Sequence, residues 1–412
     1  MSTCGKSRRY RRLIVDTDLG LDDLVALAIL RLQQCHILTH PSLPDHLTNF
    51  RICGVTVTSG ISTANVRNAE LLQRLLPSGT PVYVGAAVAA ENVFREKPDW
   101  WNRTSRNVEQ FLSSLPTTKI SHSHELSDHE RGGISAEEYL ANNLDDPDVD
   151  ILCMAPLTTL SKAIDVFSQE KPRQSILSNF FIMGGILNDS EQTKRGESTA
   201  PFGYSETASN QGLNISSPSS EDLSTEHNQF GEFNFALDIA SARKVLAVIK
   251  AHIITVEACT LLPARFRGGT RSTNLRSILE RRDGVEQQSD TTDEQIELTA
   301  ARGNLLKLLL EFGTSETQWD SLSAAIYCNI FHSARDQKLL PIRPNELFLS
   351  DLGVCYYPQV TASGEFKDRC NWKSVDGYAL DNSIKCHWIH PEFSLEDEMT
   401  FFQFLSSILF GK

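Results

Sequence analysis

The stretch "VDTDLGLDD" sets four carboxylates, Asp16, Asp18, Asp22 and Asp23, within eight residues. Like charges this close repel unless a cation offsets them. Ligands that are all oxygen favour a hard cation, calcium or magnesium. Asp18 and Asp23 have the spacing to bracket one ion across a turn that Gly20 permits. A simpler use also exists, because Asp at a helix start caps it and suits the positive end of its dipole. Capping accounts for one or two of the four carboxylates and leaves the rest unexplained. Further ligands must come from other strand ends. "CMAPLTTL" offers the backbone carbonyl of Thr158, and "QWDSLSAAIY" places Asp320 at the start of a later helix.

The elements that would position these groups are legible around them. "RLIV" reads as a strand running into the acidic cluster, and "DDLVALAIL" as the helix that leaves it. "RICGVTVTS", "PVYVGA", "DVDILCMAP", "NFFIMGG" and "HIITVEA" are strand candidates. Between them "TANVRNAELLQRLL", "SAEEYLANNL", "TTLSKAIDVF" and "SARKVLAVI" have helical periodicity. Such alternation predicts one continuous α/β domain with a parallel sheet, whose ligands bind at the carboxyl ends of the strands.

Two polar, aromatic-poor stretches interrupt the pattern, at 187–229 and 266–300. The first is too polar to order itself alone, and the second reads as a charged loop or a solvated helix. A Ser- and His-rich loop carries His122, His124 and His129, which read as solvated side chains rather than ligands.

Composition narrows the function. The 412 residues are 40% hydrophobic and 22% charged, enough to bury a large core. With 52 acidic against 39 basic side chains the net charge is -13, which disfavours nucleic-acid and anionic-membrane partners. The nine cysteines are scattered without a C-x-x-C pair, which points away from disulfides and thiolate zinc and toward a reducing, cytoplasmic setting. The start "MSTCGKSRRYRRLIV" lacks the apolar core of a signal peptide, and no apolar run is long enough to span a bilayer. The sequon at Asn214 is therefore expected to be idle.

Four ordered motifs resemble the inosine-uridine preferring nucleoside hydrolases, which cleave the N-glycosidic bond of ribonucleosides. "DTDLGLDD" is similar to that family's D-x-D-P-G-x-D-D signature, with Leu19 in the proline position. "APLTTL" is similar to its G-P-L-T-N-L segment, "IMGG" matches directly, and "GEFNFALDIASARKVL" is close to A-E-F-N-x-x-x-D-P-x-A-A-x-x-V. The resemblance implies an open, mostly parallel, Rossmann-like sheet flanked by helices, a calcium cofactor, a small ribonucleoside substrate and a homo-oligomer, dimer or tetramer. It further implies that Asp18, Asp23, the Thr158 carbonyl and Asp320 hold the calcium, with Asp18 also taking a proton from the attacking water. Asp22, Glu232 and Asn234 would hold the ribose hydroxyls, Met183 would pack near the sugar, and Asp16 would support the metal site. The chemistry is consistent with these roles, since carboxylates around the sugar stabilise an oxocarbenium-like ribosyl cation while calcium lowers the pKa of bound water. For Glu232 and Asn234 the plain alternative is a strand edge with Phe233 and Phe235 alternating inward.

The sequence departs from the family pattern at the leaving group. Many members have a histidine before the last metal-binding aspartate, and Trp319 stands there, so no imidazole acid is available. The purine-specific branch also has W-D, and there the purine is thought to stack between two tryptophans. The loop "ENVFREKPDWWNR" offers Trp100 and Trp101 as the second one, with a core-packed pair as the plain alternative. Ile61 replaces a usual Asn or Asp, and Asn188 and Asn228 are the candidates for another missing asparagine. The leading expectation is a calcium-dependent purine nucleoside hydrolase, and the alternative is a catalytically weakened nucleoside- or ribose-binding relative. A haloacid-dehalogenase-like phosphatase is disfavoured because its later lysine and acidic motifs are not evident.

Overall fold

A computed structural model describes residues 10–39, 48–87, 99–116, 134–187, 233–254, 292–311 and 319–328, five further strands between 342 and 389, and residues 405 and 409. In chain order the first elements are β1 (Arg11–Thr17), α1 (Leu21–Thr39), β2 (Phe50–Val57), α2 (Val66–Leu72), β3 (Val82–Val84), α3 (Asp99–Ser114) and α4 (Ala136–Ala141). Next come β4 (Val149–Met154), α5 (Thr158–Glu170), β5 (Asn179–Met183), β6 (Ile186–Leu187), α6 (Phe233–Leu237), α7 (Ile239–Val248) and β7 (Ala251–Ile254). The described chain closes with α8 (Asp293–Glu311), α9 (Trp319–Tyr327), β8 (Ile342–Leu349), β9 (Val354–Tyr356), β10 (Pro358–Val360), β11 (Phe366–Asp368) and β12 (Ile384–Ile389).

The main sheet runs β3-β2-β1-β4-β5-β7-β12-β8-β9-β6. Every pairing from β3 through β12 is parallel, whereas β12–β8 and β8–β9 are antiparallel. The chain builds outward from β1 through β2 to β3, then crosses to the other side of β1 to lay down β4. That reversal opens a crevice at the carboxyl ends of β1 and β4, where open α/β sheets bind their ligands.

Both faces of the sheet are covered, so successive β1 residues enter different cores. Leu13 and Val15 join one with α1, α2, α3, α8 and α9, while Ile14 joins another with α4, α5, α6 and α7. Burial on both faces explains why the strands read as continuous apolar runs rather than alternating ones.

Three details differ from the sequence reading. Residues 293–300 of the second polar stretch open α8, whose Leu298, Ala301, Leu305, Leu308 and Leu309 are buried with α1. Its charges occupy only the remaining faces, which a composition-based reading averages with its apolar stripe. "TANVRNAELLQRLL" yields a helix of only seven residues, capped by Asn65, before tighter i to i+3 bonds take over at Leu75 and Leu76. "FNFAL" is helical rather than a strand edge. The stretch 188–229, residues 266–291, the three loop histidines, Asn188, Asn214 and Asn228 lie outside the described residues. Among the described residues no helix is long and apolar enough to cross a membrane.

Candidate functional site

Strand β1 delivers Asp16 and Asp18 to the crevice. Asp16 sits between Thr56 of β2 and Cys153 of β4, fully buried. Its Oδ1 accepts hydrogen bonds from the Thr56 and Thr58 hydroxyls, both at 2.8 Å, while Oδ2 has no partner among the described residues. Burial pushes the Asp16 carboxyl up to about 7, against the opposing effect of the two threonines.

The turn after β1 folds back on its own carboxylates. Gly20 N–H donates to Asp18 Oδ1 at 3.1 Å and to Asp23 Oδ2 at 2.9 Å, and Thr17 Oγ1 donates to Asp23 Oδ1 at 2.5 Å. A Cβ on Gly20 would meet the Asp22 and Asp23 carboxylates, so the close approach requires glycine. Leu19 adopts φ 59°, a left-handed conformation that proline cannot reach. The turn therefore differs from one built on the family's proline, and its strain is held by a buried Leu19 side chain and by Ser62 Oγ donating to Leu19 O at 3.2 Å.

Asp18 is held from β2's side as well. Ile61 N–H donates to Asp18 Oδ2 at 3.1 Å, and Ser62 N–H to the Asp18 carbonyl at 3.0 Å. The Ile61 side chain offers no polar group, yet its main chain keeps a polar contact with the acidic cluster. Gly60 lies so close to Asp18 that an added Cβ would clash with the carboxylate.

Helix α9 brings in Asp320 from the far end of the chain. Oxygens of Asp22, Asp23 and Asp320 come within 4.8 Å of one another, a spacing that suits one cation. Asp18 lies beside Asp23 but outside that closest trio. Asp18, Asp23 and Asp320 are all buried, and Asp320 Oδ1 lacks a partner among the described residues. Burial pushes the Asp18 carboxyl up to about 7, with a further push from the Asp22 charge. Asp23 and Asp320 are raised well above the usual carboxylate range by burial and then by their acidic neighbours. Buried oxygens with raised proton affinity and an unpartnered lone pair form a donor set that fits a hard divalent cation.

Two more motifs close on the crevice. Thr158 opens α5 just beyond β4, and its hydroxyl donates to Asp238 Oδ2 at 2.7 Å. Met183 ends β5, and Asn234 Nδ2 donates to its carbonyl at 3.4 Å, with Sδ at 3.6 Å. "IMGG" serves packing here, because a Cβ on Gly184 would meet the buried Phe235 ring. Glu232 lies outside the described residues, so only Asn234 of that pair can be placed.

Trp101 belongs to α3 rather than to a loop tip. It is 1% exposed, donates from Nε1 to Ile61 O at 2.6 Å, and meets Phe233 edge-on with centroids 5.4 Å apart. It thus ties α3 to the loop that holds Asp18 and to the segment that carries Asn234. A shallow, solvent-open hollow runs along the same helix at Asn102, Arg103, Ser105 and Arg106. The backbone of Trp100 lies in α3 and that of Trp319 opens α9, while their side chains lie outside what is described.

Sequence reasoning missed Asp238, Thr58 and Thr159. Thr159 Oγ1 lies 2.5 Å from Thr58 Oγ1 and accepts from Ala86 N–H at 3.0 Å, linking α5 to β2 and β3. Asp238 had a visible signal, since an Asp directly before "IASARKVL" is a helix N-cap. The threonines had none, because nothing in their spacing shows that two strands and a helix converge on Asp16.

An open α/β sheet with a buried acidic cluster at its switch point is a frame that many ligand-binding proteins share, rather than the mark of one activity. A family model described as inosine-uridine preferring nucleoside hydrolase matches residues 13–334, and the chain belongs to that family. The fold is similar to a plant nucleoside hydrolase, PpNRh1, at 14% identity and TM-score 0.55, covering 98% of this chain and 100% of that one. It is likewise similar to an inosine-uridine preferring nucleoside hydrolase from Bacillus anthracis, at 14% identity and TM-score 0.51, with coverage of 98% and 100%. An inosine-guanosine nucleoside hydrolase matches at 14% identity and TM-score 0.50, with coverage of 97% and 99%. No curated protein sequence matches the chain. Strands β8 to β12 lie beyond the matched range; β12, β8 and β9 extend the main sheet past β7, while β10 and β11 pair in a separate two-stranded sheet.

Proposed function

We propose that the chain is a calcium-dependent ribonucleoside N-ribohydrolase that releases base and ribose from purine nucleosides in the cytoplasm. The observation that carries this is the convergence of Asp18, Asp22, Asp23 and Asp320, from distant parts of the chain, at the switch point beyond β1. Asp18, Asp23, Asp320 and the Thr158 carbonyl would hold calcium, which when bound supplies a polarised water of lowered pKa. Asp18 would be the residue that accepts a proton from the attacking water. Its position in the acidic turn, with Gly20 and Ile61 N–H groups fixing its two oxygens, supports that role.

Asp22, less buried than Asp18 and Asp23, is the carboxylate best placed for the ribose hydroxyls, with Asn234 and Glu232. Negative charge on this rim opposes the positive charge that develops on the ribosyl ring. Met183 limits the sugar's position, and Trp319 with Trp100 or Trp101 would receive the base. Trp101, almost fully buried, is better placed to support the wall of that pocket than to offer a free face. The reading of a weakened nucleoside-binding relative rested on Ile61 and the large insertions; the main-chain amide of Ile61 keeps one polar contact to Asp18.

The test is free ribose release from inosine, guanosine, adenosine and uridine, with calcium and with chelator. Purine turnover that chelator abolishes is expected, and Asp18→Asn should remove it while leaving thermal unfolding in place. Tight nucleoside binding without ribose release would overturn the enzyme reading.

A further inference from the structure

Asp238 stands in the motif "EFNFALD" yet has no place in the chemistry above. Its carboxylate bridges two segments. Oδ1 accepts from Ser241 N–H at 3.0 Å, capping α7, and Oδ2 accepts from the Thr158 hydroxyl at 2.7 Å. A cap needs only the first of these bonds.

The Thr158 turn is held on its other side too. Thr159 Oγ1 meets Thr58 Oγ1, which donates in turn to Asp16 Oδ1. The turn is therefore suspended between β1, through Asp16, and α7, through Asp238. The short helix α6 between Asn234 and Asp238 belongs to the same support, since Phe235 is buried against Gly184.

We infer that Asp238 is a positioning residue, whose second carboxylate oxygen sets the Thr158 turn relative to the helix that presents Asn234. The inference rests on the proposed roles of Thr158 and Asn234. Asp238 touches neither substrate nor metal; it fixes where a metal-binding carbonyl and a ribose-binding amide stand with respect to each other. Residues behind metal ligands typically change affinity ten- to a hundredfold when removed.

Three variants separate positioning from capping. Asp238→Ser keeps a cap for α7 but is too short to reach Thr158 as well. Asp238→Asn keeps both contacts, because the Thr158 hydroxyl can turn to accept from the amide. Thr158→Val removes the hydroxyl from the other side at nearly constant shape.

Calcium binding is measured with calcium chloride alone by titration calorimetry, beside kcat and KM for inosine and urea unfolding in chelator. Asp238→Ser is expected to weaken calcium binding about tenfold and to lower kcat/KM, with chelated stability close to wild type. Thr158→Val should reproduce that loss, the double variant should add nothing to it, and Asp238→Asn should recover most of it. Calcium affinity unchanged in Asp238→Ser, or losses that simply multiply in the double variant, would overturn the positioning role while leaving the proposed function standing. A wild-type chain that neither binds calcium nor releases ribose would overturn both.

Discussion

Asp16 makes a prediction whose size follows from its surroundings. It is fully buried, two threonine hydroxyls reach one of its oxygens, and the other has no partner among the described residues. Its proton affinity rises from an ordinary 3.8 to about 7. At about 1.4 kcal/mol per tenfold change in affinity, ionising it in the folded, metal-free chain costs roughly 4 kcal/mol more than in the unfolded chain. The sign follows from proton counting. Between these two values the folded state binds more protons than the unfolded one, so stability is fully present below about pH 4 and is lost as pH rises through about 7. Against total stabilities of about 5–15 kcal/mol the effect is large. Urea unfolding in chelator across this window, for wild type and Asp16→Asn, reads it directly. Asn keeps an oxygen for Thr56 and Thr58 but cannot titrate, so its stability should fall less by roughly 4 kcal/mol over the same range. Identical pH slopes in the two proteins would refute the claim that Asp16 is held protonated by burial.

Two further predictions test neighbouring parts of the site. Leu19→Pro restores the family's residue but demands a φ near −65° where the chain holds 59° and removes the N–H that donates to Thr17 Oγ1. It is expected to cost more than about 1 kcal/mol and to weaken calcium binding, and a fully stable, fully active variant would show that the turn is not left-handed. Trp319→Ala should lower kcat/KM for inosine by about ten- to a hundredfold, the usual worth of one stacked base, and unchanged purine turnover would sink the stacking account.

Much of the site was legible because it is local. Asp16, Asp18, Asp22 and Asp23 share one strand–turn–helix, and Gly20 between them marks the sharp turn. Thr158 and Asp320 were legible as residues opening helices. The strand edge that Phe233 and Phe235 offered as the plain alternative does not form, because packing of Phe235 under Gly184 accompanies a helix there. What misled was context. Trp100 and Trp101 look like loop-tip indoles, but α3 starts at Asp99 and buries Trp101 against Ile61 and Phe233.

The sequence by itself determined the alternating α/β order, the acidic turn after β1 and membership of a nucleoside hydrolase family, because each is written in contiguous residues. Only the tertiary structure decided which distant groups meet. Parallel strands need crossover connections, so residues that are neighbours at the sheet's carboxyl edge come from far apart in the chain. Asp320 joins Asp22 and Asp23 across about three hundred residues, and Asp238 reaches Thr158 across eighty. The left-handed Leu19, the amide of Ile61 and the raised proton affinities of Asp16 and Asp18 likewise depend on burial, which no local pattern of charges specifies.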